Sequence, residues 1–270
     1  MKRFLALLLS LTTLLALCAC GEAAPNEGFS LDILNTGKSD CIIVCMDGLV
    51  IVNDAADEDD FPAIADTLKR RGAERIDVLI LSHYDKDHIG SAAALVHAYP
   101  VGQILGPAYE ESSVYYTQLI RAAAERDTLF LRLTEDWTIE TENGSLTVDP
   151  PDIDYGDDNN NSLVTIIAWR GRNFLLLGDA KKKRISEQLG KTPDAVELIK
   201  LPHHGDSSKP LLKLIEQTMP RIAAATVSPA EEIEPKLLAA LSAAGTEIFR
   251  TDGGTVSVEW TDGGFVVIQK

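Results

Sequence analysis

Hydrophobic and polar positions fall into blocks whose spacing changes along the chain. Short apolar or alternating runs of strand length occur at 29–34, 41–46 and 49–53. Over 61–71, Ile64, Ala65 and Leu68 share one face at helical spacing. The next block, 76–81, reads IDVLIL and is almost continuously apolar, the pattern of a strand covered on both faces. A helix is expected over 90–98. Strands are expected at 101–105, 129–133, 144–148, 162–169 and 173–177, and helices at 113–126 and 181–189. The order then repeats: strand 196–201, helix 210–218, strand 222–227, helix 234–244, strand 246–250. Two Asp-Gly-Gly turns, at 252–254 and 262–264, bracket 256–260 as a closing hairpin. Such alternation predicts a single α/β domain over residues 29–270, with mixed strands and helices on both faces. No repeat, low-complexity stretch or linker interrupts it after residue 28.

The first block differs from the rest. Lys2 and Arg3 precede an apolar run over 4–17, too short for a comfortable membrane span but suited to a signal peptide. Leu17-Cys18-Ala19-Cys20 resembles a bacterial lipobox. The expectation is a lipoprotein signal over 1–19, a lipidated Cys20, and a polar tether over 20–28. The protein would then face outward from the cell membrane. A plain secretory signal is the alternative. Of the four cysteines, Cys41 and Cys45 remain in the folded part. On one strand they lie about 13 Å apart, too far for a disulfide, so they are read as small buried apolar groups.

Composition is that of an ordinary globular chain: 270 residues, 45% hydrophobic and 24% charged. It excludes a disordered chain and a multi-pass membrane protein. The net charge is −16, and taking Lys2 and Arg3 from it leaves −18. That acidity opposes nonspecific nucleic-acid binding unless bound cations reverse the local field.

Ligand-type residues gather in three places. The strand at 76–81 runs into Ser82-His83-Tyr84-Asp85-Lys86-Asp87-His88, with two imidazoles and two carboxylates within six residues. Packed so closely at a strand end, they would repel or stay unsatisfied without a cation. A second strand ends in Gly178-Asp179, which alone is an ordinary turn signal. A third ends in Pro202-His203-His204-Gly205-Asp206-Ser207-Ser208. Four of the five histidines fall in the first and third places. The fifth, His97, is read as a surface or capping histidine.

Taken as a set, His83-x-Asp85-x-Asp87-His88, Gly178-Asp179 and Pro202-His203-His204-Gly205 resemble the metallo-β-lactamase-fold hydrolases. The branch most similar is the hydrolase domain of ComEC-type DNA-uptake proteins and their free-standing secreted relatives. Residues 31–40, 49–55, 159–164 and 243–253 resemble further motifs of that branch. Lys38-Ser39 replaces its Gln-Gly, Asp206 replaces a usual serine, and Ile233-Glu234-Pro235 stands where a further histidine is common.

The resemblance implies an αββα sandwich holding two divalent metal ions, zinc or manganese, the oxygen-rich set making manganese a competitor. It implies His83 and Asp85 on one ion, Asp87, His88 and His204 on the other, and Asp179 bridging both. Asp87 would also accept a proton from water. His204 fits the ligand position better than His203, which would hold an oxyanion or a supporting carboxylate. Asn160 or Asn161 would stand in for a missing histidine. Ser207, Ser208 and Lys209 would meet phosphate, a solvated loop being the alternative. The expected activity is metal-dependent hydrolysis of a phosphodiester, DNA among the candidates. Cell-wall or lipid-linked phosphodiesters, lactones and lactams are alternative substrates, and a metal-containing binding lipoprotein is the non-enzymatic alternative. The run Lys181-Lys182-Lys183-Arg184 is read as a solvated helix face or, failing that, a phosphate contact. Nothing in the sequence calls for an obligate protein partner.

Overall fold

The computed structural model describes residues 28–270. The expected signal, Cys18, Cys20 and nearly all of the expected tether lie outside those residues. Strands β1 (Phe29–Ile33), β2 (Ile42–Met46) and β3 (Leu49–Asn53) form a meander. Helix α1 (Phe61–Arg70) leads to β4 (Ile76–Ile80), fully buried as its apolar run predicts. The chain continues through α2 (Lys86–Ile89), α3 (Ala92–Ala98), β5 (Val101–Pro107), α4 (Val114–Glu125) and β6 (Leu129–Leu133). Then follow β7 (Trp137–Glu140), β8 (Gly144–Asp149), β9 (Val164–Trp169) and β10 (Arg172–Leu176). After α5 (Lys182–Gln188) come β11 (Leu198–Lys200), α6 (Lys209–Thr218), β12 (Ile222–Ala225), α7 (Pro235–Ala243) and β13 (Glu247–Arg250). The hairpin β14 (Val256–Thr261) and β15 (Gly264–Gln269) closes the fold.

The strands make two mixed sheets, ordered β15-β14-β1-β2-β3-β4-β5-β6 and β13-β12-β11-β10-β9-β8-β7. Apolar side chains of both inner faces, among them Leu31, Val44, Ile80, Ile167, Phe174 and Leu198, form the layer between them. Helices α1, α3 and α4 cover the outer face of the first sheet, and α5, α6 and α7 that of the second. This is the expected αββα sandwich. Rings of Phe29, Trp169, Phe174, Trp260 and Phe265 pack together at one end, with Phe29 4.6 Å from Phe174 and 5.3 Å from Trp169. Because β1 runs parallel to β3 and β4, that end is opposite the one where β4 terminates.

Three elements depart from the sequence reading. The expected helix at 90–98 is two pieces, with α2 placed earlier, inside the first ligand motif. Strand β7 was not anticipated, because its four residues are half or fully exposed. Arg184, read as part of a solvated run, is fully buried. It bonds Asp149 and Glu187 at 2.6 Å each and the carbonyl of Ser162 at 2.9 Å.

Candidate metal centre

All three ligand motifs lie at carboxyl ends of strands, β4 in one sheet and β10 and β11 in the other. The centre is therefore assembled across the sandwich. In the first motif Asp85 is extended, and its carbonyl accepts from His88 N at 3.0 Å and Ile89 N at 3.1 Å. This single turn places Asp87 and His88 side by side. In the second, Gly178 has φ +52°, and a Cβ there would lie 2.6 Å from the Cβ of Ser82. Only glycine lets the end of β10 approach the end of β4 this closely. In the third, His203 and His204 both have positive φ, 45° and 58°. Non-glycine residues there cost about 1–3 kcal/mol each and persist only where surroundings fix them.

Those surroundings also set which ring nitrogens are free. His204 Nδ1 donates to the carbonyl of Thr226 at 3.0 Å, which leaves its Nε2 as an acceptor. His88 Nδ1 donates to Asp54 Oδ2 at 3.0 Å. Ser82 Oγ donates to the same carboxylate at 2.8 Å and accepts from His83 Nδ1 at 3.0 Å. Each imidazole thus turns Nε2 inward, as metal-ligating histidines held from behind do. His88 Nε2 lies 3.4 Å from Asp179 Oδ1, and His204 Nε2 lies 3.6 Å from Asp179 Oδ2 and 3.7 Å from Asp87 Oδ2. His83 Nε2 lies 3.4 Å from Asp85 Oδ2, on the half-exposed rim.

Three of these inward atoms, His83 Nε2, His88 Nε2 and Asp179 Oδ1, are buried without a hydrogen-bond partner. Native proteins rarely leave buried polar atoms orphaned, so their convergence fits a divalent cation. Ligand atoms of His83, His88 and Asp179 lie within 4.8 Å of one another, and so do those of Asp87, His88 and His204. His88 belongs to both groups, whereas the sequence reading gave it to one. A third group, Asp40, Asp54 and His88, is a supporting layer, since Asp54 holds His88 Nδ1 and Asp40 is paired with Lys200.

Charges follow from this crowding. Burial works against Asp179 ionising, but the imidazoles of His88 and His83 hold its carboxyl well below the usual range. Burial would likewise depress His88, yet Asp179, Asp54 and Asp40 push it well above the ordinary histidine value. Asp87 is buried enough to be raised, but His204 and His88 hold it down at about 2. Asp85 is lowered by its hydrogen bond to His83.

Some sequence-nominated residues are committed elsewhere. Asn160 Oδ1 accepts from Lys183 N at 3.1 Å and Arg184 N at 3.3 Å, capping α5, and its amide donates to Asp157. Asn161 ties down the 154–155 loop. The asparagine that reaches the centre is Asn159, whose Nδ2 lies 3.4 Å from Asp179 Oδ2. Ser208 caps α6 through Leu211 N, and Ser207 donates to Glu234. His203 sits on the rim, its Nδ1 bonded to Asp206 and its Nε2 4.0 Å from Asp179 Oδ2. Sequence reasoning assigned no role to Asp40, Asp54, Ser82, Asn159, Lys200 or Thr226. Asp40 and Asp54 fell within the branch motifs, the one signal that could have found them.

Fold and ligand set together define a class, the metal-dependent hydrolases of the metallo-β-lactamase fold. Residues 34–225 match the family model described as the Metallo-beta-lactamase superfamily, and the chain belongs to that superfamily. Its curated relatives include ComE operon protein 3 of Bacillus subtilis, 26% identical over 199 residues, covering 72% of this chain and 26% of the relative. Recombination protein 2 of Haemophilus influenzae is 24% identical over 201 residues, covering 72% of this chain and 24% of that one. The chain spans about a quarter of the length of these relatives. Among solved structures, Igni18, a metallo hydrolase of Ignicoccus hospitalis, superposes with TM-score 0.54 at 14% identity, covering 86% of this chain and all of that one. YhfI of Bacillus subtilis gives 0.54 at 11% identity over 82% and 95%. At such identities the likeness is one of fold.

Proposed function

We propose that this chain is a phosphodiesterase with a dinuclear centre, held at the outer face of the cell membrane through a lipidated Cys20. One observation carries the dinuclear reading: Asp179 groups with His83 and His88, and its Oδ2 also lies 3.6 Å from His204 Nε2, a member of the separate Asp87, His88 and His204 group. His83, Asp85 and Asp179 would hold one cation, and Asp87, His88, His204 and Asp179 the other. When bound, two divalent cations activate water near neutral pH and neutralise charge building up at a reacting phosphorus.

The chain's own residues do the rest. Asp54, Ser82 and Thr226 fix the rings of His88, His83 and His204, so that little reorganisation is left for the reaction. Asp87 Oδ2 lies 3.7 Å from His204 Nε2, in the ligand group it forms with His88, so its part is that of a ligand to the second cation, with taking a proton from water as the alternative. His203 is partly exposed on the rim and oriented by Asp206, placed to hydrogen-bond a phosphoryl oxygen or a leaving group. A cavity of about 220 Å³ lined by Pro107, Tyr109, Leu133, Pro151 and Ile153 opens beside Asn161. Tyr109 Oη accepts from Tyr84 N at 3.2 Å, which places this cavity next to the His83–Asp85 side. Its lining is mixed, the apolar side chains standing beside Thr134, Asp152 and Asp154, so it favours a neutral, partly apolar group flanking the phosphate over a second anion. That supports the second reading, a lipid-linked phosphodiester or a lactone.

A metal-dependent screen of residues 21–270 tests these readings. The panel holds bis-(p-nitrophenyl) phosphate, single- and double-stranded DNA, lactones and lactams. Phosphodiester hydrolysis that is lost with chelator and restored by Zn²⁺ or Mn²⁺ is expected. Lactone or lactam turnover with inert phosphodiesters would overturn the phosphodiesterase reading.

A further inference from the structure

The ligand set is split between the sheets. His83, Asp85, Asp87 and His88 follow β4, whereas Asp179 and His204 follow β10 and β11. Catalytic geometry therefore depends on the gap between two separately hydrogen-bonded layers. One buried ion pair crosses that gap directly beneath the ligands. Lys200 ends β11 in the second sheet, Asp40 precedes β2 in the first, and both side chains are fully buried. Burial would depress the ammonium, but Asp40 and Asp179 hold it above its usual value.

Asp40 touches both halves of the centre. Its backbone N donates to the carbonyl of Asp87 at 3.0 Å, and its Oδ2 lies 3.9 Å from His88 Nδ1. On the other side its Oδ1 accepts from the hydroxyl of Thr226, the residue whose carbonyl fixes His204. Lys200 Nζ also donates to the carbonyl of Gly178 at 3.3 Å, next to Asp179. A buried charge pair is a poor source of net stability, because desolvation offsets its attraction. Its retention here needs another reason, and its contacts supply one.

We infer that Asp40 and Lys200 are a positioning pair that sets the spacing between the two ligand halves, and through Thr226 tunes the ion held by Asp87 and His204. The inference rests on the two-ion reading above. Other links keep the sheets together without the pair, among them Thr165 Oγ1 to Asn53 Oδ1 at 2.7 Å and Leu163 N to the carbonyl of Ser82 at 2.8 Å. Losing the pair should therefore loosen one ion rather than separate the layers.

The test is stepwise Zn²⁺ titration of chelator-stripped full-length protein against a chromophoric chelator, with Co²⁺ absorption as the spectroscopic signature. The double variant Asp40→Asn/Lys200→Met removes both charges and leaves neither unpaired. Thr226→Val removes the hydroxyl that meets Asp40 and also lies 3.3 Å from His204 Nδ1, keeps the carbonyl that fixes His204, and serves if the double variant does not fold. Both should bind the first ion as wild type does. Affinity for the second should fall about tenfold or more, the effect expected on losing a supporting contact, and the Co²⁺ band of the second equivalent should shift. Unchanged affinity for both ions in a folded variant, or equal loss at both, overturns the inference while leaving a two-ion wild type intact. A wild-type stoichiometry of one overturns the two-ion reading and this inference with it.

Discussion

Asp54→Asn isolates how much of the centre depends on ring orientation. The carboxylate accepts four bonds: from Ser82 N at 2.7 Å on Oδ1, and from Ser82 Oγ at 2.8 Å, His88 Nδ1 at 3.0 Å and Asn53 Nδ2 at 3.4 Å on Oδ2. Asparagine can keep the first of them through Oδ1, so the turn after β4 stays anchored. In place of Oδ2 it presents an NH₂ group, which cannot accept from His88 Nδ1. His88 would then carry its proton on Nε2, the atom facing Asp179, and lose the lone pair a cation needs. Such supporting partners are worth about 10–100-fold in metal affinity or activity, or about 1.4–2.7 kcal/mol. Fold stability should fall by about 1–3 kcal/mol, the net worth of the Ser82 Oγ and His88 Nδ1 bonds that Oδ2 accepts. Chelator competition and a thermal melt on the same sample read the two effects separately. Wild-type affinity for both ions in Asp54→Asn would refute the claim that this carboxylate sets the tautomer of His88.

Asp179→Ala should lower the content of both ions, measured by elemental analysis, and reduce turnover at least a hundredfold, about 2.7 kcal/mol of transition-state stabilisation. His97→Ala, half-exposed and paired only with Glu125, should leave both as in wild type. Burial opposes ionisation of Asp149, but Arg184, Lys191 and Gln188 outweigh it and hold the carboxyl below its ordinary value. A depressed carboxylate stabilises fully above the unfolded value of about 3.9 and ceases to as pH falls through the folded one. The urea midpoint of wild type should therefore exceed that of Asp149→Asn at about pH 5, and the difference should shrink towards about pH 3. A difference independent of pH would show that Asp149 acts by shape alone. Cys20→Ala should release the protein from membrane fractions or leave it unprocessed, and normal processing with continued membrane retention would place the anchor elsewhere.

The central strands were legible because they are buried on both faces, so apolar runs such as 76–81 and 173–177 carry the signal unaided. The ligands were legible because imidazoles and carboxylates crowd the ends of those runs. What escaped notice was what supports them. Asp54 is a lone carboxylate after an apolar strand, and by local pattern it reads as a turn. Lys200 sits in Leu198–Lys200 between apolar neighbours, where its partner, 160 residues away, has no local trace. Helix α2 lacks apolar periodicity, and its N-cap, Asp85, makes no side-chain bond to the turn. Arg184 looked like the fourth member of a basic run, because only tertiary structure brings Asp149 to it.

The aromatic rings packed around Phe29 fix more than one end of the sandwich. Strand β1 begins there and runs about 17 Å towards the metal end before the chain turns at Asp40. Whatever precedes Phe29 therefore joins the domain at its base, with the thickness of the sandwich between that junction and His204. A domain tethered by this junction would stand with its reactive mouth turned away from the surface holding it. A domain joined there to another folded unit would present the same mouth at the far tip of the assembly, and lengthening the join would widen its sweep without re-aiming it.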